Sequence, residues 1–444
     1  MLDVPIVASF RELLYCFLGC FTAPSFDTFY TLMCGWVLQL GRHTVTGTVR
    51  AATAVGFKHI SSFHRFFSRA RWCGDELGLI VMRLVAPHVP PNEPLVVAVD
   101  DTLGRHTGKR IAAASMHRDP LLSTAAKPRF HWGHLWVVVG ITIRAFDKTW
   151  CLPVLVRLYR SKKLCQRSGR PYRPQTELAL ELIELLAERF PQRRIHVVGD
   201  TTYSCQTLVK RLPSHVQLIG RSRLDAAIYQ PPPRRRRGQL GRPRVRGDKL
   251  PSPQEQAARQ RTAWRKVTVT VYGKTVAVHV LVIDALWYVV GGSRRMRLVL
   301  VRGFPGHDHD DVFFSTDPTL SARTIIETFA MRWSIEVTFH DVKGKLGFED
   351  PQNRLEAAVE RTAPMALWCY SLTVLWYLTS GQHLSIARRS RALPWYAKSS
   401  PTFSDMVAIL RRASWAERLL DPQANDRTFR KRVQPLIDYL DACA

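Results

Sequence analysis

Two short, largely β-branched apolar runs, each closed by an acid, constrain this chain more than anything else in it. Leu95-Val96-Val97-Ala98-Val99 runs into Asp100-Asp101, and Ile195 to Gly199 runs into Asp200. Runs without polar alternation suit strands covered on both faces. Leu135–Arg144 and Trp150–Tyr159 read as two longer strands separated by the turn-like Phe146-Asp147-Lys148. Gln175–Phe190 carries Leu178, Leu182, Leu185 and Leu186 at helical spacing, with Thr176 as its expected N-cap. A short helix near Cys205–Leu212 and a strand near Val216–Ile219 follow. The order β-β-β-α-β-α-β predicts an α/β fold with a mixed sheet. Its acids stand at strand ends, where open α/β sheets place ligand groups.

The flanks differ in texture. Residues 1–90 read as a helical region. Residues 91–222 read as the first part of the core, 223–317 as a basic loop plus a β insertion, 318–350 as a helix completing the core, and 351–444 as a helical C-terminal region. The insertion opens with Pro231-Pro232-Pro233 and the run Arg234, Arg235, Arg236, Arg237. Between Arg234 and Lys266 there are 12 Lys+Arg and 2 acids, a net +10, in a Pro/Gly/Arg-rich stretch without periodicity. Strands are expected at Val267–Tyr272, Thr275–Ile283, Trp287–Val290 and Arg297–Arg302. His307-Asp308-His309-Asp310-Asp311 reads as a solvated turn.

The chain carries 64 Lys+Arg against 36 Asp+Glu, a formal charge of +28, which points to a polyanionic partner. A bilayer is disfavoured as that partner. The longest apolar run, Ala363–Leu378, contains Pro364, Cys369, Ser371 and Thr373, and falls short of the ~20 residues a span needs. Nor do Asp3, Arg11 and Glu12 suit a signal peptide. Nine cysteines, odd in number and without a C-x-x-C pair, argue for a reducing cytoplasm.

The helix expected from Ser321 to about Lys343 carries the most chemistry. At 100° per residue, with Phe329 as zero, Arg332 falls at roughly −60°, Glu336 at about −20° and Lys343 at about −40°. Ile326, Ala330, Trp333 and Val337 lie on the adjoining apolar arc. The spacing Phe329-x2-Arg332-x3-Glu336-x6-Lys343 resembles the Y-x2-R-x3-E-x6-K signature of insertion-sequence transposases that have an RNase H-like core and a D-D-E triad. Phe329 stands where Tyr is usual in that family. Val99-Asp100-Asp101-Thr102 resembles the family's first acid, and Val197-Val198-Gly199-Asp200 its second. The separations of 100 and 136 residues leave room for a β insertion before the Glu.

The resemblance covers about residues 95–350 and implies an RNase H-like mixed-sheet core interrupted by a β-rich insertion, with helical terminal regions. It implies Asp100, Asp200 and Glu336 as catalytic residues and metal ligands. Asp101 is the alternative to Asp100, since neighbours on a strand face opposite ways. The implied cofactor is a pair of Mg²⁺ ions, with Mn²⁺ able to substitute. Arg332, Lys343, Trp333, Phe329 and Arg234–Arg237 are the expected DNA-contacting residues, and Trp264 and Trp287 are insertion aromatics that could stack on a flipped base. The implied partners are double-stranded DNA, both terminal inverted repeats and target, and a second copy in a synaptic homodimer, with no membrane. The implied setting is the bacterial cytoplasm, at the nucleoid. Two other readings are a structure-selective RNase H-like nuclease and a domesticated DNA-binding protein that has kept the fold.

Overall fold

A computed structural model describes residues 4, 6–119, 122–124, 126–235, 240–259, 263–384 and 400–419. It is mixed α/β, with one large sheet and helices at both ends. The strands are β1 (Leu95–Arg105), β2 (Ser115–Arg118), β3 (Phe130–Ala145), β4 (Lys148–Tyr159), β5 (Ile195–Gly199), β6 (Val216–Ser222), β7 (Arg265–Val271), β8 (Lys274–Leu286), β9 (Arg295–Arg302) and β10 (Asp311–Ser315). β1 pairs antiparallel with β3 and parallel with β5, β5 pairs parallel with β6, and β4 lies antiparallel on the far side of β3. The resulting order β4-β3-β1-β5-β6, with only β3 reversed, is the RNase H-like arrangement expected from the sequence.

β1 departs from expectation in length. It continues through both acids to Arg105, because β3 goes on pairing with it from Asp100↔Val138 to Arg105↔Gly133. On its other side the ladder with β5 stops at Val99↔Gly199. The acids therefore sit inside a strand, at the point where one of its neighbours ends.

The inserted strands also differ. They extend the core sheet: β10 pairs with β6, and β9, β8 and β7 follow in turn to the far edge. Asp311–Ser315 was not expected as a strand, and Trp287–Val290, expected as one, is a short helix at Tyr288–Gly291. Gly292, at φ +59°, ends that helix in a conformation that L side chains avoid. The helix after β4 spans Gln175–Arg189, but Pro174 holds its N-cap position and Thr176 lies within the helix.

Of the α-helices between Ala8 and Val85, Gly74–Val85 packs with the helix Glu356–Trp376 against β4, and the others gather around that pair. Seventeen residues of Glu356–Trp376 are buried, which accounts for its all-round apolarity. Its polar groups reach the sheet: Trp368 Nε1 donates to the Val154 carbonyl at 3.1 Å and the Ser371 hydroxyl to the Pro153 carbonyl at 2.8 Å. No helix among the described residues is long and apolar enough to cross a membrane. Trp36 Nε1 donates to the Leu346 carbonyl at 2.9 Å, tying the first helical region to the segment after Glu336.

Burial pushes the imidazoles of His117, His134 and His196, on β2, β3 and β5, down to about 4. The unfolded chain protonates them near pH 6.5, so between about pH 6.5 and 4 unfolding takes up protons and stability falls with pH. Each costs up to about 1.4 kcal/mol per pH unit in that window. Urea unfolding should accordingly show a clearly lower midpoint at pH 5 than at pH 7. Equal midpoints would contradict it.

Candidate active site

The parallel register Val99↔Gly199 brings Asp100 and Asp200 side by side, one residue beyond the last rung between β1 and β5. Gly199 is required there, since a Cβ would lie 2.7 Å from the Tyr203 Cβ. Asp200 opens a tight turn. Its carboxylate accepts from the backbone N–H groups of Thr202 at 2.8 Å and Tyr203 at 3.3 Å, and from the Thr202 hydroxyl at 3.2 Å.

Glu336 arrives from a broken helix. The single helix expected over Ser321–Lys343 is two, Ala322–Ala330 and Trp333–Lys345. The join is bonded i to i−3, from Met331 N–H to the Thr328 carbonyl through to Ile335 N–H to the Arg332 carbonyl. Such 3₁₀ bonding turns the chain about 120° per residue instead of 100°; Phe329 leaves the expected stripe, while Arg332, with Glu336 bonded to it, and Lys343 still face β1. Phe329 is buried against Phe313, with ring centroids 4.5 Å apart. Arg332 is turned inward.

That inward turn assembles the site. Arg332 Nη1 donates to Asp100 Oδ2 and Nη2 to Glu336 Oε1, both at 2.7 Å, so one guanidinium joins the strand acid to the helix acid. Asp100 and Arg332 side chains are 15% and 14% exposed, Glu336 33%. Asp101, pointing the other way, accepts from the Tyr203 hydroxyl at 3.3 Å and is also held by Gln175. Burial pushes the Asp100 carboxyl up to about 7; Arg332 pulls it down, while Asp101 and Asp200 push it further up. Burial and the Asp200 charge raise Asp101 to about 6. A cluster of carboxyls this costly to ionise, with oxygen as its only donor type, fits a hard divalent cation. Arg332 already supplies positive charge between two of them.

A family model described as DDE superfamily endonuclease matches residues 16–275, more than half of the chain. The chain belongs to the DDE superfamily endonucleases. The match takes in Asp100 and Asp200 and ends before the helix that carries Glu336. Among curated proteins, none matches the sequence. A solved piggyBac transposase synaptic complex with hairpin DNA overlays with a TM-score of 0.42 and 10% identity, covering 98% of this chain and 82% of that one. A likeness at that level assigns neither fold nor function.

Other residues of this endonuclease singled out in the sequence have mixed placements. Lys343 donates to the Leu103 carbonyl at 2.8 Å and lies 4.0 Å from Glu349, so its ammonium is tied to β1. Burial lowers it below the ordinary lysine value. Trp264 lies beneath the Arg302 guanidinium at 4.4 Å, and Trp287 packs edge-on to Phe314 at 5.4 Å; both are taken up by packing. Arg234 and Arg235 are exposed, while Arg236 and Arg237 lie outside the described residues. Trp333 is 50% exposed and meets Tyr272 edge-on at 6.3 Å. Tyr272 occupies the two-residue β7–β8 turn, with φ +53° before Gly273 at +75°, as a type I′ hairpin turn requires. Tyr272, Tyr203 and Gln175 had no sequence signal: each matters through a partner far along the chain.

Proposed function

We propose that this chain is a DNA transposase of the insertion-sequence type, cutting the inverted-repeat ends of its element and joining them to target DNA. The observation that carries the reading is that Arg332 joins Asp100 to Glu336, while the β1–β5 register sets Asp200 beside Asp100. Asp100, Asp200 and Glu336 would hold a pair of divalent cations, with the backbone N–H groups of Thr202 and Tyr203 fixing the aim of the Asp200 carboxylate. Mg²⁺, or Mn²⁺ in its place, would supply nucleophile activation and relief of charge on the leaving oxygen.

The chain's own residues do the rest. Arg332 presents a planar fork that could turn from Asp100 to a phosphate oxygen. Lys343 holds β1 in place through Leu103, a positioning role distinct from direct phosphate contact. The exposed pair Trp333 and Tyr272 offers a stacking surface beside Glu336, with Phe304 packed against Tyr272 and Phe329 buried on Phe313. Arg234–Arg237 and the remaining positive charge bind DNA with little sequence preference and strong salt dependence. In this reading residues 1–90 and 351–444 are accessory regions on either side of the core at 91–222 and 318–350, and 223–317 is the insertion. Two copies on paired DNA ends, in a bacterial cytoplasm, complete the reading.

The test is a Mg²⁺-dependent assay on DNA that carries the repeats flanking the coding region. Nicking followed by joining of the new 3′ end to a second duplex is expected. Nicking without joining would favour a structure-selective nuclease, and binding without nicking a domesticated DNA binder. In the same assay Asp100→Asn should abolish cutting. Asp101→Asn should keep it within about tenfold, since the amide oxygen can still accept from one of its two partners, Tyr203 and Gln175, and the other bond is worth about 1 kcal/mol. Equal loss in both variants would contradict the assignment of Asp100.

A further inference from the structure

The segment His307–Asp311 is a largely solvated turn as expected as far as Asp310, but it ends in the buried Asp311, which gathers His307 and His309 into a cluster. We propose that His307, His309 and Asp311 form a second cation site, for a borderline transition metal of the Zn²⁺ class, separate from the carboxylate centre. One donor atom from each residue lies within 4.8 Å of the other two. His307 Nδ1 lies 2.5 Å from Asp311 Oδ2, and the two imidazole rings stack 5.3 Å apart at 11°. The Asp311 side chain is fully buried at the start of β10.

A positive charge already stands where these donors converge. Arg221, on the neighbouring strand β6, ion-pairs with Asp311, and its Nη2 donates to His309 Nε2 at 3.0 Å. A ring nitrogen that accepts from a guanidinium presents its lone pair, so His309 is in the tautomer that a metal requires. Two imidazole nitrogens and one carboxylate oxygen favour Zn²⁺ or Co²⁺ over Mg²⁺, whereas the all-oxygen centre at Asp100 has the opposite preference. Gly303 and Gly306, at φ +78° and +83°, give the preceding loop the freedom to draw the donors to bonding distance. Arg221 has somewhere to go, because it lines a cleft of about 430 Å³ together with Thr201, Arg223 and Gln254. It competes with the metal, so the site binds reversibly.

The position gives such a site a consequence. Phe304 lies 5.4 Å from the His307 ring and 6.0 Å from Tyr272, which meets Trp333 at the start of the Glu336 helix. The cleft also reaches Thr201, the neighbour of Asp200. An ion held here would fasten the β9–β10 loop against the mouth of the nuclease centre.

The experiment uses the full chain carrying Asp200→Asn and Glu336→Gln, so that the carboxylate centre contributes no binding and its failure is separable from failure of this site. Zn²⁺ titrated calorimetrically should bind at one equivalent in the presence of excess Mg²⁺, and Co²⁺ should develop the visible absorption of a low-coordinate nitrogen-ligated ion. His309 is 59% exposed, so His309→Ala leaves the fold intact and should weaken Zn²⁺ binding at least about tenfold. Arg221→Gln should strengthen it. A Zn²⁺ isotherm indifferent to His309→Ala, or a Co²⁺ spectrum that stays that of the hydrated ion, overturns the site.

Discussion

Glu336→Gln should abolish DNA strand cleavage, on the order of a thousandfold or more, while leaving DNA affinity and its salt dependence unchanged. The amide keeps the shape of the side chain and can still meet Arg332 through its oxygen, so the helix Trp333–Lys345 has no reason to move. It loses the negative charge that would balance a divalent cation next to Asp100. Binding depends on the broad positive surface, to which one carboxylate contributes little. Nicking rates at saturating Mg²⁺, read beside a filter-binding titration, separate the two quantities. Cleavage at the parental rate would remove Glu336 from the chemistry altogether.

Removing the guanidinium should have the opposite signature, large in stability and conditional on metal. Arg332→Gln leaves Asp100 and Glu336 without the cation that bridges them at 2.7 Å on each side. Breaking one partner out of a largely buried ion pair costs about 3–5 kcal/mol. In EDTA the variant should therefore melt well below the parent. Millimolar Mg²⁺ should restore much of the difference, because it repays the same two carboxylates and no longer competes with Arg332. A melting deficit that is identical with and without Mg²⁺ would mean that the bridge and the cation centre are unrelated. Differential scanning fluorimetry under the two conditions decides it.

The buried strands that end in Asp100 and Asp200 could be anticipated because they depend on local signals, an apolar run long enough for one buried strand and then an acid, whereas the sheet order was implied by the family resemblance. Parallel pairing of two such strands leaves little freedom in where the acids fall. The break at Met331-Arg332 was illegible, since nothing in Phe329-Ala330-Met331-Arg332-Trp333 disfavours an uninterrupted helix. Packing decides it: the turn lets Phe329 reach Phe313 while Arg332 reaches Asp100. The same limit applies to Lys343, whose helical face was readable but whose acceptor, Leu103, lies 240 residues away. His307–Asp311 looked like no more than a turn because its organiser, Arg221, belongs to a strand laid down some 90 residues earlier. Continuity of the ten-stranded sheet had no sequence signature either, since β7 and β8 alternate as an independent β unit would.

The tie from Trp36 to Leu346, together with that from Trp376 Nε1 to the Ser9 hydroxyl at 2.9 Å, has a consequence for synthesis. The first helices expose the apolar faces that later meet Glu356–Trp376 until that helix has left the ribosome, and β1 waits a hundred residues for β5. Asp100 and Asp200 are translated long before Glu336. A nascent or prematurely terminated chain thus carries two of the three acids, and much of the positive charge proposed to bind DNA, without the helix that would bring Glu336 beside them. Such fragments would bind DNA without cutting it, so premature termination would yield competitors of the full-length protein rather than stray nucleases.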